Sequence, residues 1–149
     1  MEVNRLLDVT MSEMDAFISK MVVQDIKEAT NKTVEVKDVI PGYSYSKKLT
    51  GRNGAQGRVK TTIRELSSGK YHVTFKSKQG VNHLEYSYVP SDDNKIDLTY
   101  KEDYDAGSTS KKLNYGLMNF LYKHSNKKRI NKILSNIEYL IHEDRKKIA

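Results

Sequence analysis

Four histidines and ten tyrosines, with no cysteine and no tryptophan, define the chemistry open to this 149-residue chain. Without cysteine there are no disulfides, thiol nucleophiles or thiolate-bound zinc. The histidines stand at 72, 83, 124 and 142, and no two share the i, i+4 spacing of a helical metal site or an HExxH motif. His83 and Glu85, two apart on one side of a strand, could hold a metal or form an acid–base pair. Two ligands are too few for a metal, and such pairs are more often surface decoration. The serines fall mostly in turns or on polar strand faces, so no nucleophile–base pair stands out. Glu65, Glu85, Glu102 and Asp103 are acids on strands, with nothing to mark two of them as a dyad. No catalytic residue, metal site or cofactor is expected.

The segment Gly51-Arg52-Asn53-Gly54-Ala55-Gln56-Gly57 invites a phosphate-loop reading, but no Lys-Ser/Thr follows and no helix begins there. GRNG also has the GxxG form of an RNA-binding loop, but that loop joins two helices and this one joins two strands. It reads as a hairpin tip. The tyrosines carry more information. Tyr43, Tyr45, Tyr71, Tyr86, Tyr88, Tyr100 and Tyr104 all share the apolar phase of their strands. Phenols need partners when buried, so they suggest a cavity for water or a polar ligand group. Tyrosine is also a favoured strand residue, which is the plainer explanation.

These side chains need elements to position them. Val3, Leu7 and Val9 alternate as in a strand, with Arg5 the exception. Ser12 and Asp15 form a capping-box pattern, and Met14, Phe17, Ile18, Met21 and Val22 mark one face of a helix ending near Thr30-Asn31. From Val34 the period is two. Val34, Val36 and Ile40 suggest a strand before Pro41-Gly42, and five hairpin-linked strands follow, running from Tyr43 to Tyr104. Asn53-Gly54, Ser68-Gly69, Gln79-Gly80 and the polar run after Pro90 turn the chain, so the sheet is antiparallel. Ile130, Ile133, Leu134, Ile137, Leu140 and Ile141 form a helical stripe able to cover its buried face. Leu117, Phe120 and Leu121 lie about 130° round the axis from that stripe, which predicts a break at His124-Ser125-Asn126.

The reading is α+β over residues 1–149 as one domain: a curved antiparallel sheet of six or seven strands gripping a long C-terminal helix, with a helix after the first strand. The order resembles the helix-grip superfamily of START lipid-transfer domains, the birch-pollen allergen and polyketide cyclases. The matching features are the opening LLDVTMSEMDAFI, the glycine-punctuated hairpins and the closing RINKILSNIEYLI. The chain also resembles a family of short Firmicutes proteins known as a domain of unknown function. The resemblance implies a fold and a cavity between sheet and C-terminal helix, and no particular reaction. The expected cavity wall is Tyr45, Thr61, Tyr86, Tyr88 and Tyr100 from the sheet, with Ile133 and Ile137 from the helix. The expected ligand is a small hydrophobic or amphipathic molecule.

Charge supplies the competing reading. The net +7 resides in residues 111–149, where ten Lys/Arg face three acids. Tyr43–Lys78 is basic and Glu85–Asp105 acidic, a pattern in which neighbouring strands neutralise each other. Lys127-Lys128-Arg129, with Lys123 and Lys132, could meet a nucleic acid or an anionic surface, but only Tyr122 lies among them to stack a base. The balance goes against nucleic acid. A cyclase or hydratase acting through a tyrosine, His83 or a strand acid has less support. The N-terminus lacks the features of a signal peptide, and no run approaches the ~20 apolar residues of a membrane span. The protein is expected in the cytoplasm.

Overall fold

The computed structural model describes residues 1–50, 56–78, 80–105 and 127–148. Strand β1 (Glu2–Leu7) leads into helix α1 (Met11–Thr30). Strands β2 (Tyr43–Thr50), β3 (Gln56–Ser67), β4 (Lys70–Ser77), β5 (Gly80–Ser91) and β6 (Lys95–Asp105) follow. Helix α2 (Lys127–Ile148) is the last element. The six strands form one antiparallel sheet in the order β1-β6-β5-β4-β3-β2, so the first strand closes against the last. A register shift between Ile63 and Glu65 bends β3 where it meets β4.

Alternation decides which face is covered. Ile96, Leu98 and Tyr100 on β6, Tyr86 and Tyr88 on β5, Tyr71 and Val73 on β4, and Val59 and Ile63 on β3 are all buried. Helix α1 contributes Met14, Ile18, Val22 and Ile26 to the same core, and α2 contributes Ile130, Leu134, Ile137 and Ile141. α1 packs on β2 and β5, while α2 packs on β1 and α1. The two helices therefore divide the inner face of the sheet between them.

Two clamps fix the helices. At the first, Thr10 caps α1 with its side chain on the Glu13 amide, and the Glu13 carboxylate accepts from the Thr10 amide. The same carboxylate takes two hydrogen bonds from Arg145 of α2, at 2.6 and 2.7 Å. Asp8 adds its amide to Glu138 at 2.7 Å, and its carbonyl accepts from His142 at 2.7 Å. At the second clamp, the Asp15 carboxylate accepts from Ser68 Oγ at 2.6 Å, the Gly69 amide at 3.1 Å and the Tyr88 hydroxyl. It ties α1 to the β3–β4 turn.

Three expectations are corrected. The cap of α1 is Thr10 with Glu13, two residues before the Ser12 pattern, because Thr10 itself adopts the extended cap conformation. Val34–Ile40 is no strand: it holds a short 3-10 turn at Val36–Asp38. Val36 and Ile40 are exposed, so their alternation meets no sheet, and Pro41 lacks the N–H a ladder needs. The stripe on α2 is narrower than expected, with Leu140 41% exposed. The Leu117–Leu121 stripe, the break at 124–126 and the turn at Asn53-Gly54 lie outside the described residues.

Candidate functional site

On the inner face, cross-strand pairing builds rows of side chains. One row runs Tyr71–Tyr86–Tyr100–Val3 across β4, β5, β6 and β1. Its rings are in contact, with centroids 6.1 Å apart for Tyr71–Tyr86 and 5.2 Å, edge to face, for Tyr86–Tyr100. The next row but one is Tyr45–Thr61–Phe75–Asn82–Tyr104. Between β4–β5 and α1 these rows border a recess of about 340 Å³. Its floor is Tyr71, Val73, Phe75, Leu84 and Tyr86, and α1 supplies Met21, Val22, Gln24, Asp25 and Glu28. Lys47 of β2 completes the rim.

The rim is charged and largely paired. Lys47 Nζ lies 3.2 Å from both Asp25 carboxylate oxygens and 5.2 Å from the centre of the Phe75 ring. The Tyr45 hydroxyl donates to the same carboxylate. Burial and then the bond to Asp25 push the Tyr45 phenol well above its ordinary value. Asp25, Glu28 and Lys47 also border an adjoining cleft of about 460 Å³ with Ala29, Lys48 and Arg58.

Deeper in, the acid is Glu102, 6% exposed on β6, which accepts from the Tyr100 hydroxyl. Burial, then that bond, raises the Tyr100 phenol. Burial and the Glu102 charge push Tyr86 up to about 12, with Arg129 of α2 opposing. Tyr71 is raised by burial and by the Asp25 charge. All four phenols are therefore neutral hydroxyls at physiological pH. Two buried polar atoms, Thr61 Oγ1 and Asn82 Oδ1, have no hydrogen-bond partner among the described residues.

The expected wall residues fall into three groups. Tyr86 lines the recess, and Tyr45 stands at its rim through Asp25. Thr61, Tyr88 and Tyr100 are buried on the same face: Thr61 beside Phe75, Tyr88 on Asp15 and Tyr100 on Glu102. Ile137 is buried in the core under α2. Ile133 is half-buried beside a shallow cleft with Arg129, Lys132, Ser135 and Asn136. The described lining thus comes from the sheet and α1, because α2 sits over β1 at the far edge from β2. Sequence reasoning did not single out Asp25, Lys47 and Glu28. The signal for the first two was a charged residue in an apolar phase: Asp25 among Met21, Val22 and Ile26, and Lys47 after Tyr43 and Tyr45.

His83 and Glu85 lie on the opposite, outer face. His83 pairs with Thr74 and Asp103, and Glu85 with His72 and Lys101. The His72 and His83 rings are 6.1 Å apart, and burial lowers the His72 pKa. Among the described residues no group of three or more His, Asp or Glu is placed to hold a metal ion. No helix among them is long and apolar enough to cross a membrane.

A sheet wrapped over a C-terminal helix, with a helix after the first strand, is the helix-grip architecture of START-like and birch-pollen-allergen-like proteins. Solved structures agree. Ara h 8.0201 superposes with a TM-score of 0.60 at 10% identity, covering 96% of this chain and 97% of that one. Norcoclaurine synthase from Thalictrum flavum, in complex with dopamine and hydroxybenzaldehyde, gives 0.59 at 9% identity, covering 96% and 86%. A START superfamily protein from Mycobacterium smegmatis gives 0.58 at 10% identity, covering 94% and 97%. By sequence, the chain belongs to the family described as domain of unknown function DUF3284, which matches residues 1–123. No curated protein matches the sequence.

Proposed function

We propose that this protein is a binding module for a small amphipathic molecule, held on the inner face of the sheet against α1. The observation that carries the reading is the recess of about 340 Å³, whose floor joins apolar side chains to the phenols of Tyr71 and Tyr86. A volume of this size lies at the lower end of small-molecule sites. Apolar walls supply affinity, and the few polar groups orient the ligand. Of the expected wall, Tyr86 borders this recess and Tyr45 reaches its rim through Asp25. The phenols of Tyr45 and Tyr100 are neutral and donate to Asp25 and Glu102, and the floor of the recess is mostly apolar, which suits the binding of an amphipathic body. The helix-grip proteins it resembles in fold include a synthase, and a shared fold does not transfer a reaction.

Native mass spectrometry of protein purified gently from its own host tests the reading. A bound species of a few hundred daltons is expected, and Leu84→Trp, which fills the recess, should release it. A protein that carries no small molecule and gains no thermal stability from any of a panel of amphipaths would overturn it.

A further inference from the structure

The polar groups around the recess are unequal in sign. Asp25 and Glu28 are carboxylates, and Lys47 is the one cation among the described lining residues. Lys47 is already committed, with both Asp25 oxygens at 3.2 Å and the Phe75 ring beneath it. Glu28 takes a hydrogen bond from Gln24 at 3.0 Å and has no ion pair with a described residue. Behind the floor, Glu102 adds a third carboxylate next to Tyr100. At the margin stands Asn82. It pairs with Phe75 across the strands and is two residues from Leu84, and both neighbours line the recess. Asn82 is 3% exposed, and its Oδ1 is an acceptor with no donor among the described residues.

The other cations named stand outside the recess lining. Lys48 and Arg58 stand exposed on the adjoining cleft, where solvent screens them as it does the exposed Glu28, and neither lines the recess itself. Arg129 of α2 acts on Tyr86 and Tyr100 through its charge and has a partner of its own. A carboxylate-ended ligand would place its charge beside Asp25 and Glu28, and the one cation among the described lining residues, Lys47, is already paired. A ligand with N–H donors and positive charge meets Glu28 and the Asp25 carboxylate favourably.

We propose that the recess takes an amphipathic amine: an alkyl or arylalkyl body on Tyr71, Phe75 and Tyr86, with an ammonium group toward Glu28 and Asp25, and that it excludes carboxylate-ended amphipaths. The assignment rests on the reading of the recess as a binding site and adds the sign of its ligand.

The test uses three probes with one body and different ends: 4-phenylbutylamine, 4-phenylbutanol and 4-phenylbutyrate. Affinities are measured by titration followed by amide chemical shifts, at low and at high salt. The amine should bind about tenfold tighter than the acid, with the alcohol between them and the gap narrowing as salt rises. Glu28→Gln should weaken the amine about fivefold and leave the alcohol unchanged. Asp25→Asn frees Lys47 and should improve binding of the acid. If the acid binds as well as the amine, or better, the charge assignment is overturned while the binding site stands. If none of the three binds, the binding-site reading falls and takes the assignment with it.

Discussion

Tyr45 and Tyr100 each give a hydroxyl to a carboxylate, and the two carboxylates have different resources. Asp25 keeps Lys47 at 3.2 Å and is a third exposed, whereas Glu102 is buried. Tyr100→Phe therefore leaves a buried acid short of a donor and should cost about 1–3 kcal/mol in urea unfolding. Tyr45→Phe should cost under about 1 kcal/mol, because water and Lys47 still serve Asp25. Equal losses would contradict this ranking. At this scale the sequence was informative about burial. Tyr45, Thr61, Tyr86, Tyr88 and Tyr100 are buried because each holds the apolar phase of its strand. The polar residues in that same phase, Lys47, Asn82 and Glu102, were as visible and marked the inner face more specifically. An apolar phase occupied by a charge or an amide implies a partner or a ligand.

Among the elements, α1 matters most, since it forms one wall of the recess and both clamps hold it. Arg145 lowers the Glu13 carboxyl to about 2, against the opposing effect of burial, with the Thr10 amide helping. A depressed acid stabilises the fold fully above its unfolded value of about 4.3. That stabilisation is lost as pH falls from there through about 2. Glu13→Gln should cost about 1–2 kcal/mol at pH 7. The difference from wild type should shrink in urea unfolding as the pH is taken below 4. A constant difference down to pH 2.5 would contradict the clamp. The second clamp depends on Gly69, which has φ +81° and whose added Cβ would sit 2.8 Å from the Tyr88 carbonyl oxygen. Gly42 has φ +95° with open space around it. Gly69→Ala should thus cost about 2 kcal/mol or more, and Gly42→Ala about 1, by thermal or urea unfolding. The strands and their turns were legible because period-two patterning and glycine turns are local signals. Val34–Ile40 misled because its alternation was present without a neighbouring strand, and pairing is a tertiary fact.

For the whole molecule, the helix-grip order could be read from the sequence, and the place of the recess could not. Which buried side chains border open space depends on where α1 crosses the sheet. Its stripe of Met14, Ile18, Val22 and Ile26 says that α1 packs, with no indication of which strands it packs on. The division of the inner face, α1 toward β2 and α2 over β1, leaves the gap at β4–β5. The most direct measurement is a titration with the neutral probe 4-phenylbutanol, followed residue by residue in amide spectra. The account predicts saturable shifts centred on Val22, Asp25, Val73, Leu84 and Tyr86, lost in Leu84→Trp. Shifts centred on Arg129 and Lys132, or on His72 and His83 of the outer face, would contradict it, as would a titration that never saturates.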